Sequence, residues 1–366
     1  MKIAILGSRG IPNEYGGFEQ FADVISRGLA KKGHDITVYC SANHSYKKSE
    51  YDGVKLVHCM DPENKIGTAG QFIYDLNCML HARKQKFDII YLLGYTSSSV
   101  WQRILKNKAV VVTNMDGLEW RRSKYSKIVQ RFLKYAEKLA VKCSDYLVAD
   151  SIGIQKYLLE KYQIKSEYYP YGCYKLDDPN ISFIEKYELE PYSYDMLIAR
   201  FEPENNIKMI LKAYVKSKSK RKFILIGNYL HTEFGKQMYA EYSKYENISF
   251  LGTIYNQIEL QNIRFYSNLY FHGHSVGGTN PSLLEAMGDS ALIVYHNNEF
   301  NKVIVKSDGF PFSTVDELTS IINKTEKKNN KDKIEANIKK IVEIYNWDII
   351  IDNYEKYFQL LLNITP

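Results

Sequence analysis

Short apolar runs, separated by glycine-rich loops and amphipathic stretches, fall into two successive series along the chain. The first run, residues 2–6, passes into a glycine-rich loop from Gly7 to Gly17. Beyond it Phe18, Phe21, Ala22, Ile25 and Leu29 recur at helical spacing, Gly33 stops the last turn, and residues 35–39 form the next strand. Strand, helix, strand in this order is a βαβ unit, which demands parallel pairing and a right-handed crossover. Further strands are predicted at 88–93, 109–113 and 146–149. Between the last two, residues 127–143 are predicted as a helix with Ile128, Phe132, Ala136, Leu139 and Cys143 inward and Arg131, Lys134, Lys138 and Lys142 outward.

A proline and glycine break at residues 168–172 (YYPYG) ends the first series. The second series predicts strands at 195–199, 222–226, 248–251, 268–271 and 292–295, with a helix over about 206–217. The polar run 324–333 reads as a solvated loop or helix start, and 347–362 as an amphipathic helix bearing Ile349, Ile350, Tyr354, Phe358 and Leu361. Two α/β series joined by one break predict two parallel sheets with a cleft between them. Ligands bind such sheets beyond the carboxyl ends of the strands.

A length of 366 residues accommodates two domains with separate cores. The net charge of +7 is mild for that length, and no basic arm or nucleic-acid motif accompanies it, so nucleic acid is not an expected partner. The 31 tyrosines run along the whole chain together with Lys, Asn and Ile, which reads as compositional bias and not as a sugar-binding stripe. Cys40, Cys59, Cys78, Cys143 and Cys173 form no Cys-x-x-Cys pair and read as buried thiols of a reducing compartment. The apolar start is too short for a signal peptide, and nothing approaches the ~18 apolar residues of a membrane span. The expected location is the cytoplasm.

The segment 272–287, HGHSVGGTNPSLLEAM, is the most informative. A strand runs into a His-Gly-His turn and the Gly277-Gly278 pair. A helix then opens at Asn280, a good N-cap, with Pro281 in its first turn. Amides at such a helix start, with the positive end of the dipole, form an anion site that suits a diphosphate. Glu285 lies one turn further on, placed to accept from ribose hydroxyls. The plain alternative is a tight turn with a solvated glutamate. In residues 199–207, ARFEPENNI, Arg200 stands at a strand's carboxyl edge, where a guanidinium can pair with phosphate oxygens; its plain alternative is a surface ion pair.

Taken together these segments resemble family 4 of the retaining glycosyltransferases, over nearly the whole length. GGFEQFADVISRGLAKKGHDITVY is similar to the family's Gly-Gly loop, helix and strand. AEKLAVKCSDYLVADS resembles its middle helix and Asp-containing strand, and YPYG its interdomain turn. ARFEPENN, FLGTI and PSLLEAM occupy donor-site positions, and NWDIIIDNYEKYF resembles the final helix. The stretches GSRGIPNEYGGFE, PENN and GHSVGGTNPSLLEAM further resemble the bacterial rhamnosyltransferase branch, whose members build capsule and cell-wall polysaccharides.

The resemblance implies the GT-B fold: two Rossmann-like domains facing across a cleft. Residues 1–169 would bind the acceptor and be rejoined by a returning helix at 347–366, while 170–346 would bind the nucleotide sugar. It further implies that Arg200 and the amides of Gly278, Thr279, Asn280 and Ser282 hold the donor diphosphate and that Glu285 binds the ribose. The 252–255 turn would meet the base, and Gly16 and Gly17 would approach the donor closely. Two positions depart from the family pattern. Gly277 replaces the first glutamate of its Glu-x7-Glu motif, and Asn205 replaces its lysine. The rhamnosyltransferase branch shares both departures, so the expected donor is dTDP-rhamnose, with a UDP-hexose as alternative.

No strand-edge Asp-x-Asp is present, so no metal or cofactor is expected, and Arg200 with the helix amides would carry the leaving charge. Asp116 in TNMDGLEWRR, at the end of a first-domain strand, is the candidate that orients or deprotonates the acceptor, with Glu119 next and a turn-capping role as the plain alternative. His274 is a candidate for a sugar or phosphate contact; His272 reads as packing. Arg121, Arg122, Lys124 and Lys127 would touch an anionic membrane face or a lipid-linked saccharide acceptor, or form a merely solvated face. A nicotinamide oxidoreductase is disfavoured because Gly7-x-x-Gly10 lacks the dinucleotide spacing. A sugar-nucleotide epimerase and a non-catalytic sugar-binding protein of the same architecture are the other rivals.

Overall fold

The computed structural model describes residues 1–14, 16–122, 125–275 and 278–364. The chain divides into two compact units, Met1–Tyr171 with Trp347–Pro366, and Gly172–Asn346. In chain order the strands are β1 (Lys2–Leu6), β2 (Asp35–Ser41), β3 (Glu50–Tyr51), β4 (Val54–Cys59), β5 (Ile89–Leu93), β6 (Val110–Asn114), β7 (Tyr146–Ala149) and β8 (Glu167–Tyr168) in the first unit. The second holds β9 (Tyr194–Ile198), β10 (Lys222–Ile226), β11 (Ile248–Gly252), β12 (Tyr270–His272), β13 (Ile293–His296) and β14 (Phe310–Phe312). Helices around them include α1 (Gly17–Lys31), α2 (Gly70–Ala82), α3 (Lys127–Cys143), α4 (Ile207–Ser217), α5 (Gln257–Tyr266), α6 (Pro281–Gly288) and α7 (Trp347–Ile364).

The first sheet runs β3-β4-β2-β1-β5-β6-β7-β8, with only the short β3 antiparallel to its neighbour. The second runs β11-β10-β9-β12-β13-β14 and is parallel throughout. Central strands such as β5 (IIYLL) are buried along their whole length, as a sheet covered on both faces requires. Strand order reverses between β1 and β5 in the first sheet and between β9 and β12 in the second. Ligand crevices open at such reversals, beyond the carboxyl ends of the strands.

In the first unit α1 buries Phe21, Ala22, Ile25 and Leu29, the predicted face. It lies hard against α7: a Cβ on Gly28 would stand 2.4 Å from Ile351 Cδ1. From α7, Tyr354 reaches the sheet, its hydroxyl 2.8 Å from that of Tyr91 and its ring edge-on to Phe21. Some of the abundant tyrosine is therefore structural.

Two expectations require correction. Helix α3 has the predicted bounds but a different inward face, formed by Leu133, Ala136, Glu137 and Ala140, while Ile128 is 78% exposed. The reason is Glu137, which accepts hydrogen bonds from Trp120, Tyr157, Tyr162 and Lys161, so a charged residue turns the helix inward. A count of apolar positions could not anticipate that. Nor is the polar run 324–333 wholly solvated. Lys327 is buried; its ammonium donates to the Phe265 carbonyl and stands 5.4 Å and 5.2 Å from the ring centres of Tyr192 and Phe265.

Burial pulls the Lys327 amine down to about 7, against the favourable charge of Asp289. Between that value and the ordinary lysine range near ~10.5 the unfolded chain holds a proton that the folded chain releases, so stability rises with pH across the window. Lys327→Met should therefore be the more stable protein at pH 6, by about 2–4 °C in melting temperature. The gain should vanish by pH 10. A variant that melts below the native chain at pH 6 would contradict this account.

Candidate functional site

Both sides of the β9/β12 reversal carry predicted site residues. Strands β9 and β12 are tied from below by the buried Asp195, which accepts from Arg221 Nε (2.9 Å), Tyr214 Oη (3.0 Å) and Asn268 Nδ2 (2.9 Å). Arg200 stands exposed two residues beyond β9. Asn205, at the position of the family's lysine and a candidate donor contact, is buried, and its amide donates to the Arg200 carbonyl at 2.7 Å. It shapes the loop that presents Arg200.

That loop is knit to the one after β12. Asn206, in the left-handed region (φ 52°), donates to the Gly273 carbonyl at 2.8 Å, and Ser275 Oγ donates to the Glu204 carbonyl at 2.7 Å. A Cβ at residue 273 would stand 2.0 Å from the Asn205 carbonyl oxygen, so the approach requires glycine. The PENN and GHS segments therefore form one cross-linked rim.

The helix start after the rim has the predicted cap. Asn280 Oδ1 accepts from the Ser282 amide at 3.0 Å and from the Ser282 hydroxyl at 2.8 Å, and Pro281 opens α6. Both Ser282 donors are thereby engaged by the cap. Gly278 and the buried Thr279 precede the cap; Gly277 lies outside the described residues.

Glu285 is also committed. The buried Arg264 on α5 bonds Glu285 Oε2 at 2.5 Å and Asp289 Oδ2 at 2.7 Å. Burial opposes the Arg264 charge, but the two carboxylates outweigh it. Burial raises Asp289 to about 6 despite the guanidinium. A ribose would meet a glutamate already oriented by an arginine. Sequence reasoning missed Arg264, whose only signal is a charge among the apolar positions of α5.

His274 is half-buried, its ring stacked on that of the fully buried His272. The 252–255 turn follows β11, with Gly252 in the left-handed region (φ 74°) and Tyr255 exposed.

In the first unit the loop after β1 closes on the sheet: a Cβ on Gly7 would stand 2.3 Å from the Leu93 carbonyl oxygen. The Arg9 amide donates to Glu19 at 2.8 Å and its guanidinium pairs with Glu63 at 2.7 Å. Gly16 is the N-cap of α1 with no side-chain bond, and Gly17 is its first residue.

Asp116 lies two residues beyond β6 in the left-handed region (φ 47°), its amide donating to Asn114 Oδ1 at 3.0 Å. A non-glycine residue held there is strained, and such strain clusters at functional sites. Glu119, the alternative base, pairs with Arg122 at 2.7 Å, both largely buried. Asp150 lies buried one residue beyond β7. Burial and then the neighbouring Asp116 charge push the Asp150 carboxyl well above the usual carboxylate range. Asp116 and Asp150 also face the buried Tyr171. Of the basic cluster, Arg121 and Lys127 are exposed, Arg122 is paired as above, and Lys124 lies outside the described residues.

Among the described residues no group of three or more His, Cys, Asp or Glu could hold a metal ion, and no helix is long and apolar enough to cross a membrane.

Residues 186–341 match the family model described as "Glycosyl transferases group 1", and residues 1–174 match the one described as "Domain of unknown function (DUF1972)". No curated protein matches the chain in sequence. Among solved structures, sucrose-phosphate synthase from Thermosynechococcus elongatus aligns with a TM-score of 0.78 at 15% identity over 100% of both chains. HepE from Anabaena, in complex with UDP and glucose, aligns at 0.76 and 16% identity over 98% of this chain and 100% of its own. The α,α-trehalose 6-phosphate synthase of Burkholderia multivorans aligns at 0.71 and 10% identity over 98% and 96%. Likeness at these identities establishes the fold. It is GT-B, with two parallel Rossmann-like sheets and a C-terminal helix.

Proposed function

From a chain whose residues 186–341 form a group 1 glycosyltransferase domain behind a DUF1972 domain, we propose a retaining glycosyltransferase of family 4 that moves L-rhamnose from dTDP-rhamnose to a saccharide hydroxyl. One observation carries the donor site: the Arg200 loop and the loop after β12, which precedes the capped start of α6, are cross-linked into a single rim at the reversal of the second sheet. A guanidinium there and the amides of Gly278, Thr279 and Asn280 that lead into α6 grip a diphosphate without a metal. As the sugar bond breaks, charge grows on the departing diphosphate while the sugar takes on oxocarbenium character, and donors fixed in advance stabilise that charge. Asp116 orients the acceptor hydroxyl and takes its proton.

The rhamnosyl assignment rests on Gly277 and Asn205 standing where hexosyltransferases of the family carry glutamate and lysine. The acceptor is a saccharide, free or lipid-linked, in polysaccharide synthesis. The exposed Arg121 and Lys127, with Ile128 beside them, suit peripheral contact with an anionic membrane face. A UDP-hexose donor is the second reading, favoured by the likeness to HepE, whose structure holds UDP and glucose.

Thermal-shift titration with dTDP and UDP, followed by turnover with dTDP-rhamnose and UDP-glucose, separates the two. Stabilisation by UDP alone would remove the rhamnosyl reading, and indifference to both would remove the donor site. Arg200→Ala should weaken diphosphate binding by about tenfold to a hundredfold, the loss of a charge-assisted contact of roughly 1.5–3 kcal/mol. Since Arg200 is exposed, its melting temperature should be unchanged. Unaltered affinity would exclude the assigned role.

A further inference from the structure

His272 and His274 close the end of β12 with their rings nearly parallel, 4.4 Å between centres and 17° between planes. His272 has no exposed surface, and neither ring nitrogen has a hydrogen-bond partner among the described residues. A neutral imidazole carries one N–H and one lone pair, and burying both unmet is a penalty that native structures rarely retain without a use. The strand lies centrally, between β9, which leads to Arg200, and β13, which ends at His296.

His274 and His296 face His272, and their charges, after burial itself, hold it neutral, well below the ordinary histidine value. Glu204 and Arg200 belong to the loop bonded to Ser275. The His274 carbonyl is fixed by Asn298 Nδ2 at 2.9 Å and Asn301 Nδ2 at 3.0 Å, so its backbone is held while its ring lies half-exposed. Two imidazoles stacked this closely accommodate one positive charge between them, because a second would repel the first at short range. An anion arriving beside them raises the proton affinity of the more exposed ring, and by linkage the proton raises the affinity for the anion.

We propose that this stacked pair makes donor binding proton-linked: His272 stays neutral and fixes the His274 ring, and His274 takes up one proton when a nucleoside diphosphate occupies the start of α6. The proposal rests on the donor-site reading given above. In it His272 is a positioning residue, and His274 is the group that meets the diphosphate.

Calorimetric titration of the full chain with UDP and with dTDP, in buffers of different ionisation enthalpy, reads the protons exchanged. The native chain should take up as much as one proton near neutral pH, and its Kd should rise by up to about tenfold per pH unit as pH climbs through the titration. His274→Gln should bind without uptake and with a flat pH dependence. His272→Phe, which keeps a buried flat ring beneath His274, should retain the uptake. Diphosphate binding by the native chain without uptake, uptake that persists in His274→Gln, or uptake lost in a folded His272→Phe would overturn the proposal and leave the donor site standing. If neither diphosphate binds the native chain, the donor site and the proton linkage fall together.

Discussion

Arg264→Leu should destabilise the second unit by about 3–5 kcal/mol, the usual loss when one partner of a buried ion network is removed. The guanidinium is buried between Glu285 and Asp289, so leucine fills the space but leaves two carboxylates without it. For a unit of this size the loss corresponds to about 10 °C in melting temperature. The sign of its pH dependence follows from Asp289, already raised to about 6 in the native chain. Without the arginine it rises further, and a carboxyl whose folded value exceeds the unfolded one weakens the fold as pH climbs through that interval. The deficit of the variant should therefore shrink as pH falls from 7 to 5. A deficit that stays constant across this range would mean that lost packing, and not stranded charge, is responsible.

Asp116→Asn should lower kcat by about a hundredfold to ten-thousandfold, the span ascribed to a positioned general base. Diphosphate affinity should be unchanged, since the diphosphate is assigned to the second unit. Asn keeps the shape and tolerates the left-handed backbone at this position (φ 47°), so folding should survive. A variant with native turnover on the sugar nucleotide that proves to be the donor would exclude Asp116 from the mechanism.

Periodicity made the fold legible because parallel strands buried on both faces are written as unbroken apolar runs, and β1, β7 and β10 have the predicted bounds. It missed the six-residue β4, whose burial is interrupted at the exposed Lys55, and the helix α2, as well as features that were short or set by charge. Strand β3 spans two residues and β8 two, too few to show a period. The inward turn of α3 is dictated by Glu137 and its four donors, a tertiary contact that no local pattern encodes.

The candidate site divides in the same way. Asn280 as a cap was legible because an N-cap is a local device. The engagement of Ser282 by that cap, of Asn205 by the Arg200 carbonyl and of Glu285 by Arg264 was not, because each depends on where another segment arrives. Spacing can name the residues that gather at a strand end. It cannot say which of them the protein has already bound to itself.

The contact between Gly28 and Ile351 bears on how the molecule is made. Tyr354 and Phe358 of α7 pack on Tyr91 in the core of the first unit, yet they are translated after every residue of the second. A nascent chain therefore holds an unfinished apolar surface on α1 and β5 throughout the synthesis of the intervening 172–346. The unit begun first is the one completed last, because its closing helix follows the whole of the second unit in the chain.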